Sequence, residues 1–230
     1  MPKDFGKYLL IAIAAFLIVF ILIAVGFIGV QYFKDKKTND DITTLYKLEE
    51  YQNSVAVEGI SISPQTTTYA FAIVSALGVW AGNPISEEEL VAQNDNKTAL
   101  EMGTGFLDQL NKHIPGYQTV KHEALSNTQL LAAIYKSLAQ GLPVVAEFAA
   151  RKDNNPPIMH GGIITGLDIP GDAITLQNTY GYEETYNLKK FINATRFEGF
   201  EDMSGFLKFI YQSGFLKRNT IYVLTPITGI

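Results

Sequence analysis

The sequence contains no cysteine in 230 residues, so a disulfide scaffold is excluded, and its 47% hydrophobic content excludes a disordered chain. Positive charge is also short, with 18 Lys plus Arg against 23 Asp plus Glu. The imbalance grows beyond the first 37 residues, because residues 38–230 hold 13 basic and 21 acidic groups, a net charge of −8. Such a surface is repelled by phosphate backbones, so nucleic acid is not an expected partner. Histidine is scarce too. Neither His113 nor His122 has an acidic or histidine partner four residues on, and no metal site is expected. Gly161, Gly162 and Gly166 do not form a dinucleotide fingerprint and no Walker-type lysine follows a glycine cluster, so no cofactor is implied. The sequons at Asn96 and Asn193 are matches by pattern alone.

What the sequence does have, first, is a run free of charge, Asn, Gln and Pro over the 23 positions from Tyr8 to Val30. As a helix it reaches about 34 Å, enough to cross a hydrocarbon core of about 30 Å. Residues 8–33 are therefore expected to form a transmembrane helix after a short tail, 1–7. A cleaved signal peptide is the alternative. Its apolar core would normally span about 7 to 15 residues and end at a small-residue cleavage site, whereas this run continues through Phe27, Ile28 and Val30 into Gln31, Tyr32 and Phe33. Lys3 and Lys7 on one side balance Lys34, Lys36 and Lys37 on the other, so the positive-inside rule discriminates weakly. The expectation is a single-pass protein of the cell membrane, its partner the lipid bilayer, with an extracytoplasmic domain. Residues 34–57 read as linker and lead-in, and 58–230 as one domain.

Within that domain helices come first and strands later. Thr68 to Ala81 is apolar and long enough for a buried helix, stopped by Gly82, Asn83 and Pro84. Ser86 with Glu89, and Ser126 with Gln129, are capping boxes that open two further helices, the second ending at Gly141. Another helix is expected near Ala99 to Leu110 and a last one around Gly205 to Gln212. Leu142 to Phe148, Gly162 to Leu167, Ala173 to Gln177 and Thr220 to Leu224 read as strands. The order describes an α+β fold with helices packed on an antiparallel sheet.

Three residues stand apart: Gln65 before the first helix, His160 at the head of a strand, and Asn178 in Gln-Asn-Thr-Tyr-Gly after the next strand. Each alone has a plain reading, as a loop polar group, an edge histidine and a turn residue. In their order they resemble the papain-like cysteine peptidases, and more closely the bacteriocin-processing, double-glycine peptidase-like branch. Gln65-Thr-Thr-Thr-Tyr-Ala-Phe is similar to the segment around that family's nucleophile, His160-Gly-Gly-Ile-Ile-Thr-Gly-Leu-Asp to its histidine strand, and Leu-Gln-Asn178-Thr-Tyr-Gly to its Asn or Asp segment. The resemblance runs from about Ser63 to Gly181. It implies a papain-like fold, Gln65 at the oxyanion position, His160 and Asn178 at triad positions, and a cleft bordered by Thr68, Tyr69, Gly161 and Tyr180.

One departure decides how the resemblance is used. Six residues after Gln65, where the family places its nucleophilic Cys, stands Phe71, followed by Ala72 in place of Gly. A benzyl group cannot ionise or attack a carbonyl. The implied protein is a membrane-tethered, noncatalytic domain that binds a peptide or protein partner in a relict cleft. Two other readings stay open: a hydrolase using a hydroxyl of Thr66, Thr67, Thr68 or Ser75 with His160, and a structural scaffold with no working cleft.

Overall fold

The structure, a computed structural model, describes residues 5–94, 104–150, 158–197, 209 and 217–227. The chain divides into two units, Met1–Asp40 and Asp41–Ile230. The first unit is a helix, α1 (Phe5–Tyr46), whose last residues belong to the second unit. The segment expected as a linker is thus helical as far as Tyr46, because Lys34 to Tyr46 contains no Gly or Pro and Lys36 pairs with Asp40 one turn on, at 3.7 Å. In α1 the side chains of residues 5–15, and of several between 23 and 35, lie outside the description. Among the residues described in full, no helix is long and apolar enough to cross a membrane.

In the second unit a single 3₁₀ turn (Glu49–Tyr51) leads to the two-residue strand β1 (Val55–Ala56). Then follow α2 (Tyr69–Trp80), α3 (Glu87–Gln93), α4 (Thr104–His113), β2 (Tyr117–His122), α5 (Asn127–Ala139), β3 (Val144–Ala150), β4 (Ile158–Asp168), β5 (Ala173–Asn178), β6 (Tyr182–Tyr186), α6 (Leu188–Thr195) and β7 (Ile221–Pro226). Both expected capping boxes are present. Ser86 accepts from the Glu89 amide while Glu89 reaches back to the Ser86 amide, and Ser126 and Gln129 do the same for α5. Of the helix expected near residues 99–110, the part before Thr104 lies outside the described residues and the rest is α4, which runs on to His113. The helix expected around 205–212 also lies outside them, apart from residue 209.

Every strand pair is antiparallel, in the order β2-β7-β3-β4-β5-β6, with β1 added to β4. The α+β architecture follows from where apolar surface can go. β3 is buried along its whole length and can only lie inside. On β5 Ile174, Leu176 and Asn178 are buried while Ala173, Thr175 and Gln177 are half-buried, the two-residue period of a strand with one face inward. α2 is buried almost all round and packs on β4; α5 turns Leu130, Leu131, Ile134 and Leu138 to the core and packs against β1, β3, β4 and β7. β4 also changes partner part-way. β3 accompanies it to Ile164 and β1 from Gly166, and between those residues its register with β5 slips by one, a bulge at Thr165.

Candidate functional site

α2 begins at Thr68, whose extended backbone lets its hydroxyl accept from the Phe71 amide at 3.4 Å. Phe71 is therefore in the first turn of the helix, and it is fully buried. The residues just before are held from the side. Glu87, the first residue of α3, accepts from the amides of Thr66 and Thr67 and from the Thr67 hydroxyl at 2.7 to 3.2 Å. Gln65 is tied to the turn after β5: its amide donates to the Thr179 carbonyl at 2.8 Å, and the Thr179 hydroxyl donates to Gln65 Oε1 at 2.8 Å.

That turn needs a glycine at its end. Gly181 has φ +93°, and a Cβ there would lie 2.5 Å from Pro64 Cγ. Gly181→Ala is expected to cost at least about 1–2 kcal/mol from the backbone conformation alone, with the displacement of Pro64 adding to it. Thermal unfolding checks this, and an unchanged midpoint would show that the turn and the Pro64 segment are not packed as described.

Asn178 lies opposite Gly162 in the β4–β5 ladder, which sets His160 diagonally across from it. The His160 Nε2 and Asn178 Oδ1 atoms are 2.8 Å apart, and Nε2 is also 2.8 Å from the Thr179 hydroxyl oxygen. These bonds fix the tautomer. An amide oxygen can only accept, and the Thr179 proton is already given to Gln65, so both contacts require a proton on Nε2. Nδ1 then carries the lone pair, and it is buried with no hydrogen-bond partner among the described residues. Burial pushes the His160 pKa down to about 4, only partly offset by the bond to Asn178. The imidazole is neutral at physiological pH.

Aromatic rings enclose it. Tyr180 stacks on His160 at 4.2 Å between centroids, and Tyr69 and Phe148 approach edge-on at 5.7 Å each. The Tyr69 contact sets the first turn of α2 against the imidazole. Asn178 is held in turn, since Oδ1 also accepts from the Tyr180 amide and Nδ2 donates to Glu184, whose Oε1 accepts a second bond from Tyr186. One hydrogen-bonded chain thus links Gln65, Thr179, His160, Asn178, Glu184 and Tyr186. Asn178→Ala strands several of these buried groups together and is expected to cost about 2–3 kcal/mol, read as a lower unfolding midpoint; a neutral effect would mean that the chain is not formed in solution.

The structure thus brings Gln65, His160 and Asn178 together, with Thr179 as the joint. The residues expected to border a cleft are mostly packed inside: Thr68 is 9% and Tyr69 7% exposed, Gly161 is buried, and Tyr180 is half-buried. Of the four hydroxyls considered as substitute nucleophiles, three are engaged elsewhere. Thr67 is bound to Glu87, Thr68 caps α2, and Ser75 donates to the Ile85 carbonyl at 2.6 Å. Thr179 does touch His160, yet it faces the protonated nitrogen, which cannot act as a base. Sequence reasoning passed over Thr179 and Glu184. Thr179 sits inside the motif that drew attention to Asn178, while Glu184 belongs to β6, a strand the residue pattern did not reveal.

A helix whose first turn meets a His–Asn pair on an antiparallel sheet, with a glutamine just ahead of that helix, defines a papain-like domain of the double-glycine peptidase-like kind. The chain belongs to the Peptidase_C39 like family, whose model matches residues 41–205. Among solved structures it is similar to the peptidase domain of Streptococcus ComA, described as a bifunctional ABC transporter involved in a quorum-sensing pathway. The identity is 14% and the TM-score 0.47, covering 74% of this chain and 100% of that one. No curated protein matches the chain.

Proposed function

We propose that this chain is a noncatalytic member of its family, fixed to the cell membrane by residues 8–33, whose extracytoplasmic domain binds a peptide or protein partner. The observation that carries the reading is Phe71, fully buried in the first turn of α2 in a chain without any cysteine. His160 and Asn178 keep the geometry of a base and its orienting amide, and Gln65 sits beside them, but no described hydroxyl is placed to give a proton to Nδ1. The polar chain then acts as internal structure, fastening the start of α2 to the sheet.

The anchor is supported by the charge-free run from Tyr8 to Val30 and by its place within one continuous helix. From Phe16 to Leu22 every residue is large, apolar and more than half exposed, a surface that suits lipid. The decisive experiment on activity incubates the full chain in detergent with a peptide library and with a hydroxyl-directed fluorophosphonate. Neither cleavage above buffer nor labelling is expected. Labelling that disappears in Ser75→Ala or Thr68→Ala would replace this reading with a hydrolase that uses a hydroxyl nucleophile.

A further inference from the structure

The cationic residues of the domain are not spread evenly along it. Residues 187–220 hold six basic and three acidic groups, a net charge of +3, whereas the rest of residues 38–230 stands at −11. Three of the six come together, because the end of α6 is fastened to the lead-in of β7. The Asn219 amide donates to the Thr195 carbonyl at 3.0 Å and Asn219 Oδ1 accepts from the Thr195 hydroxyl at 2.9 Å, which sets Lys217 and Arg218 beside Arg196. Lys217 is exposed, and Arg196 and Arg218 are half-buried.

The same joint leads to the point where α1 enters the domain. Asn219, buried and held at φ +49°, donates from Nδ2 to the Leu125 carbonyl at 2.8 Å, while the Ala124 amide donates to the Arg218 carbonyl at 3.0 Å. Two residues past Leu125, Asn127 opens α5 and donates to Asp41 Oδ2 at 2.8 Å. The basic residues therefore sit at the end of the domain that receives the anchor. The expected span ends at Phe33, and the eight helical residues from there to Asp41 rise about 12 Å, so Asp41 lies no farther than that from the end of the span at whatever angle the two units meet. That is close to the screening length of about 8 Å at physiological salt. The acids nearest this end are engaged, Asp40 with Lys36, Asp41 with Asn127 and Glu123 with Lys121.

We propose that Arg196, Lys217 and Arg218 form a docking surface for the anionic phospholipid headgroups of the bilayer that holds α1. Headgroups ask for no pocket, since each cationic side chain near an anionic surface adds about a fivefold preference for contact. The acidic remainder of the domain is repelled by the same headgroups, so the field selects this end as well as attracting it. The surface adds a second, reversible membrane contact to the anchor proposed above, and rests on that reading.

Because the chain has no cysteine, Ala124→Cys supplies a single labelling point, exposed and next to Arg218, and Thr185→Cys supplies another on β6, at the opposite edge of the sheet from β2. The full-length chains, carrying a fluorophore there, are reconstituted into vesicles whose phosphatidylcholine headgroups bear a nitroxide quencher, with or without phosphatidylglycerol. Quenching at position 124 is expected to rise about twofold with phosphatidylglycerol and to fall back in high salt. The rise should vanish in the Arg196→Gln, Lys217→Gln, Arg218→Gln triple variant, and Lys217→Glu alone, at an exposed side chain, should reduce it. Equal quenching in the two kinds of vesicle overturns the proposal, as does an undiminished rise in both variants. A rise at position 185 as large as at 124 overturns it too, since the domain would then be drawn down with no preferred face. Alkaline carbonate separates this from the anchor: a chain that stays with the vesicles but shows no lipid dependence refutes the headgroup surface alone, and one that carbonate extracts refutes the anchor and the surface with it.

Discussion

Replacing Phe71 by cysteine is expected to create a thiol with a pKa at least one unit below the ~8.5 of a free cysteine. A group in the first turn of α2 feels the partial positive charge of a helix amino terminus, and the Tyr69 contact sets this turn against His160. The imidazole presents an unpartnered lone pair at Nδ1, so transfer of the thiol proton would give an imidazolium–thiolate pair, with Asn178 and Thr179 bonded to the other nitrogen. Loss of the benzyl group from a fully buried position costs about 3 kcal/mol or more, so the variant must first be shown to fold. The single tryptophan, Trp80, reports on this through its packing against Tyr117. Because the chain has no cysteine of its own, thiolate absorbance reads one group alone. Alkylation near neutral pH should run about tenfold faster than for an exposed model thiol, and His160→Ala added to Phe71→Cys should remove the advantage. A thiol that titrates at 8.5 or above with His160 intact would mean that burial at this position outweighs the helix terminus and the imidazole, and that no imidazolium–thiolate pair forms.

Glu147→Gln should raise stability by about 3 kcal/mol at pH 8 and by almost nothing near pH 4.5. Glu147 is buried on β3, with Tyr222 donating to its carboxylate at 2.9 Å, and burial pushes its pKa up to about 7 against the lowering effects of Tyr222 and Lys121. A carboxyl whose folded pKa is raised binds more protons in the folded state than in the unfolded one. Between about 4.5 and 7 it therefore destabilises as pH rises, and glutamine removes that penalty. His160 has the opposite sign, since its folded pKa of about 4 makes the unfolded state the better proton acceptor between 4 and 6.5, so stability falls as pH drops through that window. In the wild type the two contributions oppose each other from about pH 4.5 to 6.5. In Glu147→Gln the His160 slope stands alone, about 1.4 kcal/mol per pH unit. Denaturant titrations followed by Trp80 fluorescence at several pH values measure the difference directly. A variant no more stable than wild type at pH 8 would show that Glu147 is solvated or paired in solution.

Much of this was legible in the residues because the signals were local. Ser86 and Ser126 cap helices through hydroxyls that bond within three residues, and the spacing of His160 and Asn178 is the path of one strand, a turn and its returning neighbour. What escaped depends on partners far along the chain. β2 reads Tyr-Gln-Thr-Val-Lys-His, too polar to announce a strand, and becomes one by pairing with β7 about a hundred residues later. α6 is short, and β6 has an exposed, acid-bearing pattern that makes sense only beside β5. Glu147 looked like an ordinary strand residue. Its raised proton affinity comes from burial in the folded sheet, against the lowering effect of Tyr222, which pairs with Val145 across the β3–β7 ladder. At the candidate site the residue types were visible, but the closing of the rings over His160 was not, because it depends on how Tyr69, Phe148 and Tyr180 meet from three separate elements.

The pairing of β1 with β4 bears on the order in which the domain is made. Val55 finds its partner in Leu167, and the Gln65 amide finds its own in the Thr179 carbonyl, each more than a hundred residues downstream. As the chain leaves the ribosome, α2 and its preceding loop are synthesised well before the strands that hold them, so the apolar surface of α2 waits while about a hundred residues follow. Loop-closure entropy over that distance makes docking of this early segment slow compared with the β3–β4–β5–β6 meander, whose neighbours arrive in succession. Translation that stalled before Thr179 would leave a chain with α2 to α5 made, α6 still to come and β3 without its β7 neighbour, open to capture by chaperones until synthesis resumed.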